Sequence, residues 1–453
     1  MKNFSLLYEI TRPFVMPAIR VFYKKIQIKN FKNLPVRGGV LICSNHVNAF
    51  MDPVSIQLHT SRQLFSLARG DAFNKPFLRW LLTQWKLIPI YRLSEGAENL
   101  KKNDTTFLLS QEVLTNGNPL IIYPEAICIQ ERRIRKLKKG AARIAFGVEE
   151  QGDFKEDLLI LPVGLNYSNP KKFRSNLFIN FGKPIHTSDY IDLYKEDKVR
   201  AINRLTLAIE QAMKELVVHI EHKDNDELVE KLFEVYKPEL LAEPGLDPDN
   251  LEDDFKESRR IADAVNQLYI FEPQKLETIR QKLFGYILEL KEYDLRDNLL
   301  TDQAIQNLNR SRIMADYIKI AFGMFVFLPG LVMNYVPYKI AYTAADKLAK
   351  EVEFHASINM TIGWFSWIAW YLLELLLIAI FFRSWLLLGI CALLVPLSGI
   401  YALNFYPFFK KCKRRRKLLK WSLVNKTGFE NLTKERKELI QFIRLNLLSP
   451  SQG

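Results

Sequence analysis

The amino-acid sequence predicts an α/β domain with a mostly parallel sheet, followed by a helical region and a C-terminal transmembrane hairpin. Residues 26–186 alternate short strand-like runs with helical stretches, as parallel strands joined by crossover helices do. Residues 187–312 are charged and place apolar side chains at three- to four-residue spacing, which indicates amphipathic helices. Beyond residue 320, long apolar runs dominate the sequence.

The first segment, residues 1–25, is apolar but is interrupted by Glu9, Arg12 and two prolines. It has no continuous apolar core and no small-residue cleavage site, so we do not identify a signal peptide. The pattern is compatible with an amphipathic segment at a membrane interface and equally with an ordinary packed helix.

Six strand-like runs define the predicted sheet, each rich in β-branched and other apolar residues. They read GVLICSN, QLFSLAR, LIPIYR, NPLIIYPE, LLILPVGLNY and NLFINFGKPI. The intervening stretches NKPFLRWLLTQW and GAENLKKNDTTFLLSQEVLTNG favour helices. Within the later helical region, the acidic and turn-rich residues 241–254 predict a linker.

Two membrane spans are predicted in residues 362–409. Trp364–Phe382 and Ser384–Phe409 are long and nearly uncharged, and only Arg383 separates them, so we expect a tight hairpin. Residues 313–345 are apolar but contain Pro329 and Pro337. For this segment we expect a re-entrant or interfacial helix pair rather than a third span.

The charge balance points to a polyanionic partner, because the net charge is +14 and the pI is about 9.3. The apolar runs favour a lipid bilayer and argue against nucleic acid. The basic tract KKCKRRRKLLK opens the tail, residues 410–453, directly after the second span. By the positive-inside rule we therefore expect a multi-pass membrane protein with its tail and its α/β domain facing the cytoplasm.

Four widely spaced cysteines, with no CxxC pair, are typical of a reducing, cytosol-facing protein. They do not have the spacing of a metal site, and we expect no metal.

His46 is the candidate catalytic base. Of the six histidines, it alone lies between an apolar strand and a helix start, with Asp52 within reach of the same loop. No GxSxG motif supplies a serine nucleophile, so the pair suits a reaction in which the substrate brings its own hydroxyl. Asp52 would then orient the imidazole. The pattern also fits a purely structural role, with Asp52 as a helix N-cap and His46 as a neighbouring core residue.

The stretch NHVNAFMDP resembles the first motif of the glycerolipid acyltransferase superfamily, which includes lysophosphatidate and glycerol-3-phosphate acyltransferases. Five residues separate His46 from Asp52 where the family usually has four, a spacing similar to that of the fungal-type glycerol-3-phosphate acyltransferases. Three further blocks follow in family order: LIPIYR with Arg92, YPEAICIQERRIRKLKKGAA with Glu125, and ILPVGLNY with Pro162.

The third block departs from the family pattern. The family has Glu-Gly followed by small polar residues, whereas this chain has Glu125-Ala126-Ile127-Cys128. A missing glycine restricts φ, and missing hydroxyls remove donors to an acceptor phosphate. The identity of the acceptor is therefore more open than acyl transfer itself.

Several arginines are candidates for phosphate binding, because a guanidinium fork matches phosphate oxygens. Arg69 and Arg92 each follow a strand, where ligands bind in α/β sheets. We favour phosphate binding for Arg92, leave Arg69 open between phosphate and rim, and expect a basic rim for Arg132, Arg133 and Arg135. The resemblance assigns Glu125 to the acceptor side, where it would orient a hydroxyl or pair with an arginine.

The apolar helix that spans residues 73–85 carries Phe73, Trp80 and Trp85 as candidate acyl-chain or membrane contacts. An ordinary core helix under the sheet fits the same pattern.

The resemblance implies a membrane-bound O-acyltransferase of phospholipid biosynthesis that moves a fatty acyl group from a thioester to glycerol 3-phosphate. The donor would be acyl-CoA or acyl carrier protein, and no cofactor is implied. A lysophospholipid (1-acylglycerol-3-phosphate) or lyso-aminolipid acceptor is the first alternative. A non-catalytic lipid-binding scaffold is the second, and the intact His–Asp pair argues against it.

Overall fold

The computed structural model describes residues 4–91 and 102–448. Two compact units divide the chain: the first holds residues up to 219 together with 345–360, and the second holds residues 220–344 and those from 361 onward.

An eight-stranded sheet forms the centre of the first unit. Its strands are β1 Lys25–Lys29, β2 Val40–Ser44, β3 Phe65–Arg69, β4 Leu87–Ile90, β5 Pro119–Ile122, β6 Leu159–Tyr167, β7 Asn176–Phe181 and β8 Ile185–His186. The order is β1-β7-β6-β2-β5-β3-β4, and β8 pairs with β6. Only the β6–β7 and β6–β8 pairs are antiparallel, so the predicted mostly parallel sheet is confirmed.

Strand β2 lies at the middle of this sheet, between β6 and β5. All five of its residues are buried, since helices cover both faces of a parallel sheet. The carboxyl ends of β2, β3, β4, β5 and β6 meet at one edge. That edge is where α/β folds bind ligands.

In the described residues up to 219, the first unit holds seven α-helices. They are α1 Leu6–Phe22, α2 Met51–Gln57, α3 Pro76–Gln84, α4 Lys102–Thr115, α5 Gly140–Gln151, α6 Ile191–Glu196 and α7 Lys198–Lys214. Helices α4, α5 and α7 contribute to the core on one face of the sheet, and α1 and α2 to the core on the other. Because α7 buries Leu205 and Ile209 in that core, the predicted boundary at residue 186 is too early.

Helix α1 bears on the two interpretations of the N-terminal segment, an interfacial segment and an ordinary packed helix. It packs through Tyr8, Ala18, Ile19 and Phe22, so it is a packed helix. Its other side exposes large apolar side chains, among them Leu6, Ile10 and Phe14.

Residues 345–360 return to the first unit from late in the sequence. Ala356 is fully buried in the same core as Ile42 and Leu161. The buried His355 places Nε2 3.0 Å from the Asp346 carboxylate. This late segment, which we call the connector, therefore forms part of the unit that carries the sheet.

The second unit contains charged amphipathic helices and three long apolar ones. The charged helices are α8 Asp226–Val235, α9 Lys237–Leu241, α10 Leu251–Phe271, α11 Pro273–Glu292, α12 Asp302–Gln306 and α16 Lys426–Leu447. Of the predicted linker, residues 241–254, residues 242–250 are non-helical between α9 and α10, and residues 251–254 begin α10. The buried Arg436 of α16 binds Asp297 and Glu239 at 2.7 Å each, which joins α16 to the other helices.

The apolar helices are α13 Arg310–Leu348, α14 His355–Phe382 and α15 Trp385–Val424. In the described part of the chain, these three are long and apolar enough to cross a membrane. They identify a membrane protein. Residues 313–345 lie in α13, which continues through Pro329 and Pro337 as one helix and not as the expected pair. Their re-entrant or interfacial placement stays a prediction.

Close packing supports α13 against α15. A Cβ atom on Gly330 would lie 2.3 Å from the Ser398 carbonyl oxygen, so the two backbones nearly touch. Small residues permit this approach between apolar helices. Phe327, Ala402 and Phe405 bury one another beside that contact.

Candidate active site

His46 and Glu125 lie at the carboxyl edge of the sheet. His46 follows β2, Glu125 follows β5, and β6 ends at Tyr167. Neighbouring parallel strands end side by side, so residues far apart in sequence meet here.

The structure brings His46 and Asp52 together. His46 Nδ1 lies 2.7 Å from Asp52 Oδ2, and Asp52 is fully buried. The same carboxylate oxygen accepts hydrogen bonds from the backbone N–H groups of Val47 (2.9 Å) and Asn48 (2.8 Å). Tyr167 donates its hydroxyl to the other oxygen, Oδ1, at 2.7 Å.

This bonding separates the two explanations of the His–Asp spacing. Asp52 is not the N-cap of α2, because that position belongs to Phe50 and Asp52 lies inside the first turn. Its carboxylate instead fixes the loop that carries His46. A carboxylate at Nδ1 leaves Nε2 as the ring nitrogen that can take a proton.

Tyr123 stacks on the imidazole of His46, with ring centroids 4.0 Å apart and planes 15° from parallel. Burial, together with the charge of Asp52, raises the pKa of Tyr123 well above its usual range. The ring therefore stays neutral and limits the freedom of the imidazole.

Glu125 joins the loops of the first and third blocks. Its Oε1 accepts the backbone N–H of His46 at 3.4 Å, and its Oε2 accepts that of Arg135 at 3.0 Å. Burial raises the pKa of Glu125, although these two N–H groups oppose the shift. We expected a contact to a substrate hydroxyl or an arginine side chain, whereas the bonds seen here run to the backbone.

The residue after Glu125 explains how the third block tolerates its missing glycine. Ala126 has φ +59°, the left-handed conformation that favours glycine. Ala49, in the His46 loop, also has positive φ (+38°). The loop thus keeps the backbone path of a glycine while carrying an alanine.

The candidate arginines differ in their surroundings. Arg69 ends β3, but it contacts the carboxylates of Asp71 (2.7 Å) and Glu351 (4.0 Å). Arg92 lies outside the described residues, so its predicted role stays a prediction.

The cluster after Glu125 is not uniformly a rim. Arg132 donates to the backbone carbonyls of Tyr167 (3.3 Å) and Ser168 (3.4 Å). Arg133 and Arg135 both pair with Glu131, and only Arg135 has a well-exposed side chain. Arg132 therefore supports the end of β6, and the rim expectation for the cluster stays a prediction.

The three aromatic candidates near α3 differ in how far they are exposed. Phe73 is 4% exposed and lies in the core, so membrane contact is wrong for it. Trp80 is 54% exposed on a helix that buries none of its residues. Trp85 is half-buried. Of the three, Trp80 is the one that a lipid could reach.

A third metal-type ligand approaches the pair, which the sequence did not reveal. Among the described residues, potential ligand atoms of His46, Asp52 and Cys128 lie within 4.8 Å of one another. Cys128 therefore adds a third potential donor that the spacing of the cysteines did not predict. A metal ion would compete with the hydrogen bonds that already occupy both Asp52 oxygens. Cys128 itself accepts the Ala49 N–H at 3.2 Å.

Two supporting residues escaped the sequence analysis. Asn45 forms paired hydrogen bonds with the backbone of Leu165, at 3.0 and 2.8 Å, and so fixes the His46 loop to β6. Tyr167 holds Asp52 from the same strand. Only their positions in blocks one and four hinted at this, because the contact depends on the pairing of β2 with β6.

Comparison with known proteins agrees with this geometry. Residues 25–166 match the family model described as Acyltransferase. The chain is 25% identical over 243 residues to an uncharacterised acyltransferase of Schizosaccharomyces pombe, covering 52% of this chain and 34% of that protein. It is 23% identical over 247 residues to glycerol-3-phosphate O-acyltransferase 1 of Saccharomyces cerevisiae, covering 53% and 31%.

A longer alignment, 19% identical, relates 76% of this chain to 60% of glycerol-3-phosphate O-acyltransferase 2 of Saccharomyces cerevisiae. The chain thus spans about a third of the first two relatives and three fifths of this one. The crystal structure of the 1-acyl-sn-glycerophosphate acyltransferase PlsC from Thermotoga maritima aligns with 44% of this chain and 79% of that one, at 17% identity and a TM-score of 0.31. Residues 25–166 of this chain are therefore similar in sequence to the acyltransferase family model.

Proposed function

We propose that this membrane protein transfers a fatty acyl group from an acyl thioester to a hydroxyl of glycerol 3-phosphate. The observation that carries the proposal is the His46–Asp52 pair, with its buried and fully bonded carboxylate at the ligand-binding edge of the sheet. The names of the two Saccharomyces cerevisiae relatives support the choice of acceptor.

In the proposed reaction, Nε2 of His46 accepts the proton of the acceptor hydroxyl while its oxygen attacks the thioester carbonyl. Asp52 stabilises the imidazolium that forms. The tetrahedral intermediate then collapses, the carbon–sulfur bond breaks, and the imidazolium returns its proton to the leaving thiolate. The donor would be acyl-CoA or acyl carrier protein, and these steps use no metal or organic cofactor.

Binding of the acceptor phosphate is assigned to Arg92, on the resemblance of its block to the family. Arg69 is a weaker candidate, because a phosphate would have to replace its carboxylate partners. Glu125 would act indirectly, by holding the His46 loop.

A lysophospholipid or lyso-aminolipid acceptor is the second candidate. The altered third block favours it, because Ala126 and Ile127 stand where the family carries glycine and a small polar residue. A chain whose block lacks those hydroxyl donors has fewer groups to offer a small phosphate.

The activity itself is the first test. The full-length chain in lipid nanodiscs is offered labelled acyl-CoA or acyl carrier protein thioester with glycerol 3-phosphate, 1-acylglycerol 3-phosphate or a lyso-aminolipid. We expect acylation of glycerol 3-phosphate and a loss of about 10²–10⁴-fold in the His46→Ala variant.

His186→Ala is the matched control, because His186 lies 2.8 Å from Asp157 in an exposed His–Asp pair away from the site. This control should keep wild-type turnover. Acylation of a lysolipid alone would replace the proposed acceptor by the second candidate. No transfer to any acceptor, with membrane association intact, would favour the non-catalytic scaffold.

A further inference from the structure

Strand β6 ends in a tyrosine that is directed at the catalytic pair. Tyr167 is 4% exposed, and its hydroxyl donates to Asp52 Oδ1 at 2.7 Å. Among the described residues, the side chains of His46 and Tyr167 both bond this carboxylate. The other two donors are backbone N–H groups.

Several contacts fix Tyr167 in place. Arg132 binds its backbone carbonyl at 3.3 Å, and Leu177 of β7 lies opposite it in the sheet. Two residues earlier in β6, the backbone of Leu165 forms paired hydrogen bonds with Asn45, the residue next to His46. The phenol therefore approaches Asp52 from a strand that is itself bonded to the His46 loop.

The titratable groups that face the pair are Tyr23, Tyr123, Glu125 and Cys128, in addition to Tyr167. Burial raises the pKa of Tyr167 well above its usual range, and the nearby charge of Asp52 adds to this. The hydroxyl consequently stays protonated and remains a donor near neutral pH.

We propose that Tyr167 is a positioning residue for acyl transfer, acting through Asp52 on His46. Its hydrogen bond orients the carboxylate and withdraws negative charge from it, which keeps Asp52 from stabilising the imidazolium too strongly. Without this bond the carboxylate keeps more of its negative charge and becomes a stronger partner for the imidazolium. The inference rests on the proposed role of His46 as the base.

The test measures kcat and KM against pH for wild type, Tyr167→Phe and a variant with 3-fluorotyrosine at residue 167. Tyr167→Phe should lower kcat by about 10- to 100-fold, as for a lost hydrogen bond to a charged group. It should also move the acidic limb of the pH–rate profile upward by roughly half a unit to one unit. Fluorotyrosine, a stronger donor of the same size, should move that limb downward, which a purely structural role would not do.

Tyr194→Phe is the matched control. Tyr194 is 6% exposed and donates to Glu150 at 3.1 Å, away from the site, so this variant loses a comparable bond and should keep the wild-type profile. An unmoved acidic limb in both residue-167 variants would overturn the inference, even if kcat falls. Since wild type must be active for this comparison, an inactive wild type contradicts the proposed function instead.

Discussion

Ala126, next to Glu125, has the left-handed backbone conformation, which is unfavourable for an L-amino acid. Its N–H bonds the Tyr123 carbonyl at 3.0 Å, and Ile129 bonds the His46 carbonyl at 3.1 Å. These bonds keep the third-block loop against the His46 loop. The loop geometry of the site is therefore maintained against local strain.

Replacing Ala126 with glycine should relieve that strain. The left-handed conformation costs alanine about 1–2 kcal/mol, and glycine loses about 0.5–1 kcal/mol through its freer unfolded chain. We expect a net gain of about 0.5–1 kcal/mol in the free energy of unfolding, seen as a higher Tm with turnover retained.

Ala141→Gly, inside helix α5, is the control. It should lower the free energy of unfolding by about 1 kcal/mol and therefore also the Tm. If both glycine variants lose stability alike, the left-handed conformation of Ala126 does not hold in solution.

At the scale of elements, the connector touches the loops that carry the site. The ring of Phe354 meets that of Phe50 edge-on, with centroids 5.8 Å apart. Gln130, in the third block, donates its amide to the Val352 carbonyl at 3.2 Å. This late segment of the chain therefore supports both loops of the candidate site.

Phe354→Ala should weaken catalysis without removing any proposed catalytic group. An aromatic pair contributes about 0.5–1.5 kcal/mol, so we expect kcat/KM to fall by about two- to ten-fold. Steady-state kinetics in nanodiscs measure this.

Phe31→Ala removes a similar edge-on pair with Phe181 in the same unit, and it should leave kcat/KM unchanged. Equal losses in the two variants would mean that the effect is general destabilisation rather than support of the site.

The elements show where sequence reasoning works. The six apolar strands were predictable because buried parallel strands read as continuous apolar runs. Strand β1, KIQIK, was missed, since it pairs only with β7 at the edge and alternates polar with apolar residues. Helix α13 was predicted to be broken because proline removes a backbone hydrogen bond. Apolar helices nevertheless tolerate proline, because neighbouring helices satisfy the backbone groups that it leaves unpaired.

The site shows the same division. His46 and Asp52 share one loop, so their spacing was informative. Tyr167 lies 115 residues from Asp52, and only the pairing of β2 with β6 brings them together. The connector contacts depend on segments still further apart, such as Gln130 and Val352, 222 residues apart.

At the scale of the whole molecule, ion pairs restrict the membrane topology. Asp316, near the beginning of α13, binds Arg415 of α15, and Asp294 binds Lys417. The beginning of α13 and the C-terminal part of α15, which these ion pairs hold together, must lie on one side of the bilayer. If α15 crosses, then α13 and α14 together can cross only once, so three complete spans are excluded.

We propose that α14 and α15 form the crossing hairpin, with both flanks cytoplasmic. The described residues 220–309 contain no candidate span, and the connector after α13 is folded into the first unit. The chain therefore enters and leaves α13 on the same side. The basic tract after the apolar part of α15 favours the cytoplasmic side.

Single cysteines at the exposed positions Asp302, Lys350, Arg383 and Lys426 test this topology. Cys128 and Cys391 are replaced first, because they are not fully buried. An impermeant maleimide should label positions 302, 350 and 426 from one side and position 383 from the other. Labelling of 350 together with 383 would mean that α13 crosses and α14 does not.

The connector also sets an order of events during synthesis. The core of the first unit contains Ala356, which follows the whole of α13 in the chain. A ribosome must therefore release the first long apolar helix before the core of the first unit can be completed. The sheet that carries the candidate site consequently reaches its final packing only after α13 has been synthesised.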